Sequence, residues 1–194
     1  MLNFLWSLKK IISFIYKRNK LNFYIYSGRG NYNQIQFVEV FDRAESDRFI
    51  NLKYTHLPTK NILINELAKG SSLNVVTNSE GYVCHYSCVT NKGVRIGEID
   101  IFFKLTNKQI YIYNCKTEEA GLRKGLYRAA LSEIIKSNPD KDIYICSLDW
   151  NLASIKCLES VGFKAVFAID YLKVFGVKRY RSNNEEVSRN VIGL

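Results

Sequence analysis

Three side chains are best suited to moving a proton near neutral pH: Glu98 and Asp100 in GEIDIF, and His85 in VCHYSC. Glu98 and Asp100 alternate with Ile99 and Ile101, a period of two that puts both carboxylates on one face of a strand. An imidazole titrates close to the working range. If the two segments pair, all three groups line one cleft and offer general-base chemistry; the alternatives are a solvated outer face for the carboxylates and a hydrogen-bonded histidine. A second kind of chemistry is written into TEEAGLRKGLYRAAL, residues 117–131. There the strand pattern QIYIYNCK gives way to a helical pattern from Leu126, and the junction holds Gly125 beside Arg123 and Lys124. A helix that starts after a glycine presents unpaired backbone N–H groups and the positive end of its dipole. With two cations added, that junction can hold a phosphate. An exposed turn with solvated cations reads the same way, and one glycine is a weak phosphate signal by itself.

The flanking elements must position these groups. NFYIYS (22–27) and IQFVEVF (35–41) read as strands about the turn GRGN, and AESDRFINLKYTHL and TKNILINELAKG as two short helices, the second stopped by Gly70. LNVVTNSEGYVCHYSCVTN reads as a hairpin about NSEG, and RIGEIDIFFKL with QIYIYNCK as a second hairpin about TNK. The helix after Gly125 buries Leu126, Tyr127, Ala130, Leu131, Ile134 and Ile135 and ends at SNPD. DIYICSL is a short apolar strand; Asn151 then caps a helix with Leu152, Ile155, Leu158 and Val161 on one face. A β-rich stretch runs from Phe163 to Arg181, and a polar tail starts at Ser182. Hairpins followed by one β-α-β crossover predict a mixed α/β (α+β) domain around one central sheet.

Taken together, YIYNCKTEEAGLRKGLYRAAL and IYICSLDWNLASIKCLESVGF resemble the GNAT superfamily of N-acyltransferases, over roughly residues 110–163. Thr117, Lys124 and Gly125 match the first part of the family pattern, and Asn151, Ser154, Gly162 and Phe163 the second. The resemblance implies a central mixed, mostly antiparallel sheet flanked by helices, and a thioester donor: acetyl-CoA, another acyl-CoA or an acyl carrier protein. It implies that the diphosphate sits on the amides of Arg123 to Tyr127 (Leu122, Arg123, Lys124, Gly125, Leu126, Tyr127). It implies that the pantetheine arm runs along Tyr113, Cys115 and Thr117, with Asn151 and Ser154 on its far side. Leu122 stands where the family has Arg or Gln, and Arg123 where it has glycine. Tyr127 replaces a small residue and resembles a subset acting on surface polysaccharides and lipid-linked substrates. Leu158 stands where many relatives carry a tyrosine that protonates the leaving thiolate, so that acid is missing or comes from elsewhere.

The resemblance implies an N-acetyltransferase that transfers an acetyl group to a primary amine of a small molecule, and the subset it is similar to makes an amino sugar the preferred acceptor. The alternatives are a membrane-associated enzyme taking a longer acyl chain, and a silent protein that binds CoA or a partner. His85, Glu98 and Asp100 are the base candidates. Direct transfer needs no covalent intermediate, so Cys115 reads as a packed strand residue.

Composition narrows the setting. The chain has 194 residues, 47% of them apolar and 24% charged, which suits one globular domain. Its many Asn, Lys, Ile and Tyr residues suggest an AT-rich bacterial genome. Five cysteines lie inside apolar segments without C-x-x-C spacing, as expected of reduced thiols in the cytoplasm, and two histidines are too few for a metal site. The net charge of +10 fits an anionic membrane, an acidic carrier or an anionic cofactor; no nucleic-acid motif accompanies it. Residues 1–20 hold five cations and no acid among apolar residues at helical spacing. They predict a basic amphipathic helix, lying on the inner face of a membrane or packed on the domain or a second subunit. The expected organisation is this helix over 1–20, one domain over 21–181 and the tail over 182–194.

Overall fold

The computed structural model describes residues 16–27, 38–42, 45–55 and 57–185. Ten strands and four helices follow one another: β1 (Tyr16–Tyr26), β2 (Glu39–Phe41), α1 (Ser46–Ile50), α2 (Leu57–Ala68), β3 (Ser72–Thr77), β4 (Val83–Thr90), β5 (Val94–Ile96), β6 (Ile101–Phe103), β7 (Gln109–Thr117), α3 (Leu126–Ser137), β8 (Asp142–Leu148), α4 (Leu152–Ser160), β9 (Lys164–Val174) and β10 (Val177–Ser182). Eight strands form one sheet in the order β10-β9-β1-β8-β7-β4-β3-β2. Only β7 and β8, joined through α3, run parallel; every other neighbour is antiparallel. This is the mixed, mostly antiparallel sheet flanked by helices that the sequence predicts.

Alternation along the strands sends side chains to two faces. On one, Ile110, Ile112, Ile143 and Ile145 meet Leu131, Ile134 and Ile135 of α3 and Leu158 of α4. On the other, Phe23 stacks on Phe167 at 4.3 Å and on Phe103 at 5.7 Å, roofed by Ile96, Ile99 and Ile101. A third cluster packs Phe49, Leu63 and Leu67 of α1 and α2 onto Leu73, Val75, Tyr86 and Cys88.

The roof corrects one expectation. RIGEIDIFFKL does not pair with β7; it folds on itself as the hairpin β5–β6 about a turn at residues 97–100. Gly97 and Asp100, the latter at φ +56°, close that turn, and Ile99 between them is fully buried under it. Glu98 and Asp100 therefore sit on a turn and not on one strand face.

The amino-terminal strand differs as well. Tyr16 to Lys20, read as the end of a helix, are the first half of β1, and residues 1–15 lie outside the described residues. β1 is inserted between β8 and β9, pairing Phe23 with Cys146 on one side and with Phe167 on the other. The ladder with β9, which takes in Tyr16 to Lys20, outweighs a marginal local helix preference. The turn GRGN and residues 35–37 also lie outside the described residues, and the first helix is only Ser46–Ile50. At the other end, Ser182 is still strand. The Asn183 amide donates to Ala168 O at 3.2 Å and its Oδ1 accepts from the Ala168 amide at 2.7 Å, so the tail begins later than Ser182.

Candidate active site

The parallel pair opens. β7 and β8 are in register only from Gln109↔Asp142 to Ile112↔Ile145. Beyond that, Tyr113 to Thr117 keep β4 on one side and have no described strand on the other. The cause is a bulge. Tyr86 faces Lys116 and Cys88 faces Tyr113, three steps on β7 against two on β4. The extra residue is absorbed at Asn114, at φ +50°, a conformation Asn tolerates better than most side chains. A bulge bends its strand and re-aims its side chains. On the far arm, Cys146 to Leu148 turn toward β1.

A cleft of about 650 Å³ fills the V. Tyr113, Asn114 and Cys115 form one wall; Cys146, Ser147 and Leu148 form the other. Tyr127 of α3 and Asn151 and Ser154 at the start of α4 close the helix side, and Arg95, Gly97 and Glu98 close the hairpin side.

At one end of the cleft stands the start of α3. Gly125 is its N-cap at φ +73°, no side chain caps the helix, and its first turn holds no acid. The amides of Leu126, Tyr127 and Arg128 therefore have no intrahelical acceptor. Arg123, itself at φ +62°, and Lys124 are exposed beside them. The approach to this helix start is held rigidly: the Glu118 amide donates to Cys84 O at 2.8 Å. A Cβ on Gly121 would lie 2.8 Å from that same carbonyl and 2.8 Å from Leu126 Cδ1, so only glycine fits.

The sequence-predicted donor residues divide in two. Tyr113, Cys115, Tyr127, Asn151 and Ser154 line the cleft. Leu122, Arg123, Lys124 and Gly125 are exposed around the helix start, while Leu126 is buried against Val76 and Cys84. Thr117 turns away, its Oγ1 2.8 Å from His85 Nδ1. Asn151 does cap α4, accepting from the Ser154 amide at 3.2 Å.

Two of the three base candidates are not available. His85 is fully buried in β4, where every residue is buried. Its second nitrogen is 2.9 Å from Ser87 Oγ, and burial holds the ring neutral, its pKa lowered to about 4. It is a structural histidine, and it does not line the cleft. Asp100 is bound by Lys178 and by Arg95, which hold its carboxyl down at about 2. A carboxylate so committed is a poor proton acceptor. Glu98 alone reaches the cleft lining. Its turn is pinned from β1, with Asn19 Nδ2 donating to Glu98 O at 2.6 Å and Lys17 Nζ to Gly97 O at 3.3 Å.

The cleft thiols stay protonated. Burial pushes Cys115 up to about 11 and Cys146 up to about 12, and Tyr111 Oη lies 2.7 Å from Cys146 Sγ. Neither is a thiolate nucleophile. Tyr113 is anchored, donating to Glu66 Oε2 at 2.5 Å with Ser71 Oγ at 2.7 Å. Burial raises the Tyr127 phenol well above its ordinary value; its oxygen lies 3.5 Å from Ser154 Oγ. Leu158 is fully buried in the core, so no proton donor stands there.

The two titrations separate in pH. A neutral buried histidine contributes stability that is complete above its unfolded value of 6.5 and lost as pH falls toward about 4. The loss is up to about 3 kcal/mol. Asp100 contributes above its ordinary 3.8 and loses that contribution as pH falls toward 2. Urea midpoints between pH 7.5 and 4.5 are expected to fall in the wild type and to flatten in His85→Gln; an equal slope in the variant would place the effect elsewhere.

Sequence reasoning missed Arg95, Asn114, Cys146 and Ser147 as cleft residues. The one signal for Asn114 was a polar residue with left-handed tolerance inside an apolar strand, YIYNCK.

No family model and no curated protein matches the chain. Solved structures do. A GNAT-family acetyltransferase from Novosphingobium aromaticivorans aligns with 79% of this chain and 63% of its own, at 12% identity and a TM-score of 0.55. A GNAT-family acetyltransferase from Colwellia psychrerythraea aligns with 81% and 56%, at 10% identity and a TM-score of 0.55. A GCN5-related N-acetyltransferase-like protein from Streptococcus suis aligns with 91% and 68%, at 12% identity and a TM-score of 0.52. The chain thus spans about three fifths of the length of the first two. Its sheet order, its single splayed parallel pair and these alignments together give the chain the GNAT fold.

Proposed function

We propose that the chain is an acyltransferase that moves an acyl group from a thioester carrier, acetyl-CoA in the simplest case, to a primary amine. The observation that carries the reading is the V between β7 and β8, with an uncapped helix start at one end. The residues fit such a carrier. The amides of Leu126 to Arg128, with Arg123 and Lys124 nearby, would hold its diphosphate. The open edge of β7 at Tyr113 to Cys115 would hold its amide-bearing arm. The carrier supplies an activated carbonyl.

The chain's own residues do the rest. Backbone N–H groups on the open edge of β7 would face the developing oxyanion. Glu98 would take the amine proton, directly or through water. Tyr127, kept protonated by burial, would return a proton to the leaving sulfur in place of the missing group at Leu158. A cleft of about 650 Å³ gives donor and acceptor room to meet within it, and its protonated thiols favour direct transfer over a cysteine intermediate.

Calorimetry with CoA, and thiol release from acetyl-CoA with a panel of amines, test the reading. Micromolar binding that protects the amides of residues 125–128 is expected. Arg123→Glu is expected to weaken CoA binding by roughly fivefold at low salt, with the difference shrinking as salt rises. Absence of CoA binding, or binding without protection at those amides, would end the proposal.

A further inference from the structure

The hairpin β9–β10 is at odds with a purely structural role. Val174 pairs with Val177, so Phe175 and Gly176 form a two-residue turn, at φ +47° and +83°. Such a turn favours Asn-Gly, because both central residues lie in the left-handed region. Phenylalanine there is strained, and the residue is 77% exposed, so packing returns little for the strain. Val177 beside it is 62% exposed.

The surface behind the apex continues the pattern. Directly opposite residues share a face, which here collects Arg18, Leu172 and Arg179 in one row and Tyr16, Val174 and Val177 in the next. Lys20 and Arg181 extend it, with Asp170 as its one acid. α3 and α4 pack farther along the sheet and leave this face open. Across the sheet, Lys173 and Lys178 flank the apex from the other side. The apex is thus an apolar tip with a collar of cations. The loop after β8 adds Trp150, 69% exposed, tied to β1 where the Asp149 amide donates to Lys20 O at 3.0 Å.

We propose that this hairpin docks on an anionic lipid surface, with Phe175 and Val177 in the headgroup–acyl boundary and the surrounding Lys and Arg among the phosphates. Three observations select a lipid. The apolar residues protrude at a tip instead of lining a groove, as insertion into a soft interface requires. The collar is strongly cationic, within a chain of net charge +10. Tyr16, the first residue of β1, lies in this same corner, and the sequence before it holds Leu2, Phe4, Leu5, Trp6, Lys9 and Lys10 with no acid. No helix among the described residues is long and apolar enough to cross a membrane. Docking stands whether or not the chain transfers acyl groups. If it does, the ion pair of Lys178 with Asp100 ties the hairpin to the turn whose Gly97 and Glu98 line the cleft.

Sedimentation of the full chain with vesicles of phosphatidylcholine alone, and of phosphatidylcholine mixed with phosphatidylglycerol, tests this. Binding is expected only to the mixed vesicles and to fall with salt. Phe175→Ser and Arg179→Glu are each expected to weaken it about fivefold to tenfold, and Lys136→Glu, at the end of α3, to leave it unchanged; circular dichroism checks each fold. Phe175→Trp is expected to gain emission that brominated lipid quenches. Equal binding by all variants would move the contact away from the hairpin. Failure to bind mixed vesicles, or tight capture of an acidic acyl carrier protein instead, would overturn the proposal.

Discussion

Tyr127→Phe is expected to lower the rate constant of acyl transfer by about a hundredfold while leaving CoA affinity within about twofold. The phenol lies between the two helices that close the cleft, 3.5 Å from Ser154 Oγ. Its ring is 5.4 Å from the His85 ring, so the variant keeps its packing and loses one oxygen. That oxygen is a protonated group lining the cleft, whereas the fully buried Leu158 side chain can give no proton. Burial keeps the phenol protonated throughout the working range, as a proton donor requires. The split between kcat and KM is the decisive readout. A wall residue would move binding; a proton donor moves the chemical step, and less so for an acyl donor with a more acidic thiol. A variant with unchanged kcat would assign the proton to water.

Phe23→Ala is expected to cost about 3–5 kcal/mol and to lower the thermal midpoint by roughly 10 °C or more. Phe23 is wholly buried and stacks on Phe103 from the roof hairpin and on Phe167 from β9. Its strand holds β8 to β9, so the cavity would open where three elements meet. The comparison is Phe175→Ser, whose exposed ring contributes nothing to the core; its cost should stay within about 0.5 kcal/mol. A small effect at Phe23 would mean that the two stacked rings collapse into the space.

The strand-to-helix junction was legible because its signal is local. Gly125, the pattern from Leu126, and the cap at Asn151 each report through neighbours a few residues away. The parallel pair followed from QIYIYNCK, one helix and DIYICSL in succession. What failed depends on distant partners. His85 looked reactive because sequence alone could not tell that Thr117 and Ser87 occupy both nitrogens. Asp100 looked free because Lys178 stands seventy-eight residues away. Glu98 and Asp100 were assigned a strand because Ile99 and Ile101 alternate with them, and a turn that buries Ile99 gives the same spacing. Tyr16 to Lys20 carry helical spacing, and only β9, far along the chain, imposes the extended form.

The insertion of β1 has a consequence for biosynthesis. Leu21 pairs with Leu148 and Tyr16 with Val174, so β1 finds both neighbours only after about 150 further residues, the span from Tyr16 to Val174, have been synthesised. Until then Phe23, Tyr24 and Ile25 form an orphan apolar edge, attractive to chaperones and to other nascent chains. Closure of the sheet must wait for β8 and β9, and its rate is set by the search for those remote partners.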